Sequence, residues 1–200
     1  MSDTNNKFQN KYRIPSTRAE WHDYNGGTYF ITICTAGREH YFGEIAHTDG
    51  KPQMILSEIG KCVSENLQNI TAHYPYAEIP LFVVMPNHLH AIVIIDGNKT
   101  PYERVNNCTN VAHCRDAARH VSTEKSKKMR QIANLQGWLS VVIGGIKSAV
   151  TKFAHQNNIP FAWQTRFHDH IIRDQNEMNC SAEYIENNVA KWDLDELNTL

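Results

Sequence analysis

Apolar residues along this chain fall into short runs with two different periods, and those periods divide it into strands and helices. The run Thr28-Tyr29-Phe30-Ile31-Thr32-Ile33-Cys34-Thr35 follows Gly26-Gly27, ends at Gly37, and is β-branched and aromatic, so it predicts a strand. A weaker strand is expected between Tyr41 and Ile45, after a turn at Gly37-Arg38, and Asp49-Gly50 marks another turn. Leu56, Ile59, Val63, Leu67 and Ile70 recur at helical spacing around Ser57, which is suited to cap the helix, and Pro75 stops it. Residues 77–86 and 88–96 read as two more strands split by Met85-Pro86-Asn87. Pro86 lacks a ladder donor and predicts a bulge or bend there. A long helix follows, with Leu139, Ile143, Ile146, Val150 and Phe153 on one stripe. Gly144-Gly145 inside it predicts close packing or a bend. Residues 161–173 read as an irregular strand and loop, and a last helix is expected from about Ser181 to Lys191.

This order predicts an α+β protein, a ferredoxin-like (split βαβ) antiparallel sheet with helices on one face and a further helix at the C-terminal end. Residues 1–25 are polar and aperiodic and read as a flexible lead-in; residues 26–200 read as one domain. Within it, residues 98–134 are poor in large apolar side chains and basic: Lys99, Arg104, Arg115, Arg119, Lys125, Lys127, Lys128 and Arg130 face only Glu103, Asp116 and Glu124. That stretch predicts a mobile insertion.

Charge changes the picture only by exclusion. Twenty Lys and Arg stand against twenty-one Asp and Glu, so any contact with nucleic acid must rest on local basic clusters. The five cysteines are scattered and odd in number, which argues against a disulfide framework. The polar N-terminus lacks the apolar core of a signal peptide, and no apolar run is long enough to span a bilayer. A reduced, soluble, cytoplasmic protein with no membrane partner is expected.

The most informative chemistry lies in Val84-Met85-Pro86-Asn87-His88-Leu89-His90. Side chains alternate along a strand, so His88 and His90 share one face, roughly 6–7 Å apart along the strand. Leu89, Ala91, Val93 and Ile95 share the other, apolar face. Two imidazoles side by side can reach one divalent cation, a pattern also met in zinc and non-haem iron sites and in phosphodiesterases. Tyr184 and Asn188 are four residues apart on one face of the last helix. A tyrosine suits attack on a phosphodiester because a phosphotyrosine conserves the ester for later rejoining. The asparagine carbonyl is a hard oxygen ligand for Mg²⁺ or Mn²⁺.

Three segments together carry a resemblance: the Val84–His90 run, Trp163-Gln164-x-x-Phe167-x-Asp169-His170-Ile171-Ile172-Arg173, and Tyr184-Ile185-Glu186-Asn187-Asn188. In this order they resemble the single-tyrosine HUH transposases, and among those the REP-associated tyrosine transposases, over about Gly27 to Trp192. The resemblance implies a ferredoxin-like core, divalent-metal dependence, and cleavage and rejoining of single-stranded DNA beside small hairpins through a 5′-phosphotyrosine. By position it implies His88 and His90 as metal ligands, Tyr184 as nucleophile and Asn188 as third ligand. It also favours Lys147 as a phosphate contact, and Arg166 and Arg173 flank the tryptophan segment as phosphate partners. Proteins of this kind include monomers and dimers that exchange the tyrosine helix, so a homodimer stays open. Members commonly carry proline after the asparagine; Val189 stands here, so the helix is expected to run on slightly further.

Two other readings of the same residues remain at this point: a hydrolase or phosphodiesterase using the histidine pair with water, and a non-catalytic nucleic-acid-binding module. His168 and His170 form a second His-x-His, and Cys108, His113, Cys114 and His120 a loose cluster whose spacing fits no standard zinc pattern. Trp138 and Trp163 are expected to pack rather than to stack on bases.

Overall fold

A computed structural model describes His22 and residues 24–100 and 124–198, with residues 124–136 as helical backbone alone. The lead-in before His22, the middle of the basic stretch and its Cys108 to His120 cluster lie outside the described residues. Six strands are present: β1 (Gly27–Cys34), β2 (Gly43–Thr48), β3 (Lys51–Leu56), β4 (Ala77–Val84), β5 (His88–Ile95) and β6 (His168–Ile172). The helices are α1 (Glu58–Gln68), the single turn α2 (Ile70–His73), α3 (Glu124–Gln156) and α4 (Gln175–Asn187).

Strands β4-β5-β1-β6 form one sheet in that order, and every neighbouring pair is antiparallel. This is the α+β, split-βαβ arrangement expected. The apolar parity of β5 decides which side is the core. Leu89, Ala91, Val93 and Ile95 are buried with Tyr29, Ile31 and Ile33 of β1 under Ile59, Val63 and Leu67 of α1 and Leu139, Ile143, Ile146 and Val150 of α3. Each buried Val, Leu or Ile among them contributes about 1.5–3 kcal/mol of burial energy. On the opposite side α4 covers a smaller cluster, with Ile185, Met178 and Ala182 against Ile92, Ile172 and Phe30.

Local signals explain the element ends. Ser57 caps α1, its Oγ accepting from the Gly60 amide at 3.0 Å. Asp49 and Gly50 take φ of 52° and 74°, the pair of positive values that a two-residue hairpin needs, and they join β2 to β3. The expected single strand after Gly37 is therefore a hairpin; β3 begins Lys51-Pro52 and hides its alternation behind polar residues. Pro86 lies in the tight β4–β5 connection, where the Met85 amide meets the His88 carbonyl at 2.8 Å, while the sheet's irregularity falls between Glu78 and Leu81. In α3 the non-helical residue is Gly137, at φ 72° and ψ 160°; the Gly144-Gly145 pair stays helical, and Gly145 makes room for the Tyr74 hydroxyl. Residues 124–134 of the basic stretch belong to α3.

The last helix starts earlier than its apolar pattern suggests. Asp174 accepts from the Asn176 and Glu177 amides at 2.8 and 2.9 Å and sets the start of α4 at Gln175. It ends at Asn187, and a 3₁₀ segment (Val189–Leu194) turns the chain back, so substituting Val189 for proline does not prolong the α-helix.

Candidate metal centre and tyrosine cleft

The face of β5 that carries His88 and His90, beside the buried Ile92, borders a cleft of about 890 Å³ lined by His90. His88 and His90 are 0% and 3% exposed, with ring centroids 4.6 Å apart. Antiparallel register sets Thr32 opposite His90, and the Thr32 hydroxyl lies 2.8 Å from His90 Nδ1. Phe30, two residues away on the same strand face, stacks on the His90 ring at 5.3 Å.

The second imidazole is oriented by its neighbour. Asn87 is 1% exposed, and its amide nitrogen donates to the Leu197 carbonyl at 2.8 Å. A carbonyl only accepts, so Asn87 must turn its own oxygen toward His88 Nδ1, 2.8 Å away. His88 Nδ1 therefore carries the proton and Nε2 keeps a free lone pair. That Nε2 has no hydrogen-bond partner although it is buried, and neither has Asn188 Oδ1. Orphaned buried polar atoms are rare and call for an explanation.

Asp195 Oδ2 lies 3.7 Å from His88 Nε2, too far for a hydrogen bond and close for two donors of one cation. Ligand atoms of His88, His90 and Asp195 all fall within 4.8 Å of one another. Burial holds both imidazoles neutral: desolvation, with the Arg38 guanidinium nearby, takes His88 down to about 3. Desolvation and then His88 take His90 to about 3, with Asp195 opposing. Neutral imidazole is the metal-binding form. Two imidazoles and a carboxylate beside an unpartnered amide oxygen fit a divalent cation in chemistry and in placement, and this group could hold one.

Tyr184 projects from α4 toward the same point. Its hydroxyl stands 3.5 Å from His90 Nε2, its ring meets that imidazole edge-on at 5.0 Å, and it is 46% exposed to the cleft. Burial raises the phenol above its ordinary value, Asp195 adds to the rise, and Asn188 opposes it. The hydroxyl is thus protonated at neutral pH.

His90, Tyr184 and Asn188 line one cleft with His88 packed against His90, and Arg166, Arg38 and Lys191 line it too. Lys147 is placed differently: its ammonium donates to the Gln164 and Arg166 carbonyls at 2.6 and 3.3 Å, bracing the segment that carries Arg166. Arg173 is exposed at the end of β6, outside the cleft lining, with its amide on Glu177 at 2.8 Å. His168 lines the cleft, whereas His170 pairs with Glu177 at 3.6 Å. Trp163 donates to the Lys147 carbonyl at 3.1 Å and packs on Phe42 and Phe161, and Trp138 packs on Tyr76.

Sequence reasoning missed Asp195, Asn87, Thr32 and Arg38. Thr32 shares a strand face with Phe30 and Cys34, but nothing in its own strand says which residue it will oppose. Asp195 lies in a polar tail whose local pattern resembles an ordinary solvated end.

No family model matches the chain. It is 34% identical over 188 residues to an uncharacterised protein of Haemophilus influenzae, covering 91% of each chain. Among solved structures it is similar to a REP-associated tyrosine transposase bound to a REP hairpin, at 18% identity and a TM-score of 0.48, over 90% of this chain and 74% of that one. A candidate transposase from Deinococcus radiodurans aligns at 14% identity and a TM-score of 0.35, over 86% of this chain and 97% of that one. Among the described residues no helix is long and apolar enough to cross a membrane.

Proposed function

The chain belongs to one family with the Haemophilus influenzae protein, and we propose that it is a metal-dependent, single-tyrosine HUH transposase that cleaves and rejoins single-stranded DNA beside hairpins. The observation that carries this reading is the Tyr184 hydroxyl 3.5 Å from His90 Nε2, at a buried histidine pair in an open cleft. The three sequence segments that resemble the REP-associated tyrosine transposases support it independently.

His88, His90 and Asp195 would hold Mg²⁺ or Mn²⁺, with Asn188 Oδ1 as a further oxygen donor. A cation bound there would offset charge on the non-bridging oxygens of a phosphodiester. The chain's own residues do the rest. Tyr184 is held by α4 against the imidazole floor, with its oxygen facing the cleft, so a phosphodiester seated there meets a positioned nucleophile. The phenol oxygen bonds to phosphorus and the P–O3′ bond breaks. The phenol proton is released, the departing 3′ oxygen gains one, and the products are a 5′-phosphotyrosine and a free 3′ hydroxyl. A 3′ hydroxyl attacking that phosphotyrosine reverses the step and needs no nucleotide energy. Arg38, Arg166 and Lys191 on the cleft wall are suited to neighbouring phosphates.

The test is a denaturing gel for a covalent protein–DNA adduct, using labelled single-stranded hairpins from the gene's flanks with Mn²⁺. Wild type should give a shifted band that disappears in Tyr184→Phe and with chelator. Cleavage that survives Tyr184→Phe without an adduct would instead point to a hydrolase that uses water.

A further inference from the structure

The C-terminal tail returns to the metal centre through a closed circuit of contacts, and Asn87 is its pivot. His88 Nδ1 donates to Asn87 Oδ1 at 2.8 Å. Asn87 Nδ2 donates to the Leu197 carbonyl at 2.8 Å. The Leu197 amide donates to Asp195 Oδ1 at 2.7 Å. Asp195 Oδ2, the oxygen left over, faces His88 Nε2 at 3.7 Å and closes the loop. The two ends of the His88 ring thus face Asn87 and Asp195, which both bond to one tail residue, Leu197. From this geometry we infer that Asn87 is a positioning residue for the metal centre, fixing His88 and docking the tail segment that presents Asp195.

The rest of the pivot is built to hold still. The Asn87 carbonyl accepts from the Thr35 amide at 2.9 Å and from its hydroxyl at 3.0 Å, so its backbone is pinned to β1. The tail has its own supports: Trp192 is buried against His40 and His88, Arg38 Nη1 donates to the Glu196 carbonyl at 3.2 Å, and Asn198 Nδ2 donates to the Trp192 carbonyl at 3.1 Å. Two donors about 2.1 Å from one cation lie roughly 3.0–3.4 Å apart, so the His88–Asp195 pair needs only a small inward movement.

The inference rests on the metal-centre part of the function proposed above, and Mn²⁺ affinity tests it without DNA. Binding is measured by the loss of the free Mn²⁺ spin-resonance signal, on protein whose folded fraction is checked by near-ultraviolet circular dichroism. Wild type is compared with His88→Ala, Asn87→Ala, Asp195→Ala and the Asn87→Ala/Asp195→Ala double variant. Asn87→Ala should weaken binding roughly 10- to 100-fold, the usual range when a group supporting a metal ligand is lost. Its cost should shrink clearly in the Asp195→Ala background, because part of it acts through the tail. An equal cost in both backgrounds, or no cost in wild type, overturns the positioning role. If instead His88→Ala leaves Mn²⁺ binding intact, the metal centre itself fails, and the positioning role falls with it.

Discussion

Leu89, Ala91, Val93 and Ile95 point from β5 into the layer made by α1 and α3, while His88 and His90 point from the other face of the same strand, where His90 lines the cleft. All six are buried. On one side burial is the purpose, because removing apolar surface from water is what holds the sheet to its helices. On the other side burial imposes a cost on polar rings, and it is offset by Asn87 and Thr32 at each Nδ1 but left open at His88 Nε2. One strand is thus both scaffold and site, and the open lone pair of His88 marks the site face.

The contrast can be broken most directly by single substitutions on each face. His90→Ala should lower Mn²⁺ affinity by at least on the order of a hundredfold, more than loss of a supporting group does. Leu89→Ala should cost about 2–5 kcal/mol of stability through the cavity it leaves, with Mn²⁺ affinity of the folded fraction retained. Urea titrations and Mn²⁺ binding on both variants separate the two effects; a metal defect in Leu89→Ala matching that of His90→Ala would erase the distinction between faces.

Acid sharpens it further. In chelator-treated protein both imidazoles sit at about 3 against an ordinary 6.5, so between those values the unfolded chain binds more protons than the native one. Stability should therefore fall as pH is lowered from 6.5 toward 3, by up to about 1.4 kcal/mol per pH unit for each imidazole. Urea midpoints between pH 7 and 4 measure this, and His88→Gln should reduce the slope. A slope unchanged in that variant would place the titrating groups elsewhere.

The smallest effect lies in the core layer alone. A methyl group on Gly145 would meet the Tyr74 hydroxyl, whereas one on Gly144 meets nothing within 4 Å. Gly145→Ala should destabilise by about 1–3 kcal/mol and be partly relieved by Tyr74→Phe. Gly144→Ala should stabilise by up to about 1 kcal/mol. Thermal unfolding of the three variants gives the signs, and neither glycine change should alter Mn²⁺ binding.

Much of this was legible from residues alone. The α+β order followed from apolar periods, Ser57 announced its helix, and the parity of His88 and His90 against Leu89 and Ala91 needed only the alternation of a strand. The β2–β3 hairpin was half hidden because β3 is polar on its exposed side, and the start of α4 lay in the Asp174 cap rather than in any apolar repeat. The family resemblance favoured Lys147 as a phosphate contact, but a charge on a helix carries no sign of what it will meet, and the segment that receives its ammonium follows 17 residues later.

Sequence by itself determined which side chains share a face, because the strand and helix periods are properties of the backbone and act over a few residues. It thereby placed the two imidazoles side by side, and Tyr184 one helical turn from Asn188. Only the tertiary structure decided what those faces meet. Thr32 reaches His90 across 58 positions, Tyr184 reaches it across 94, and the tail reaches Asn87 across 110. Such contacts are set by strand register and by how the tail docks on the core. No local pattern encodes them, and so Asp195 entered the site only when the chain was folded.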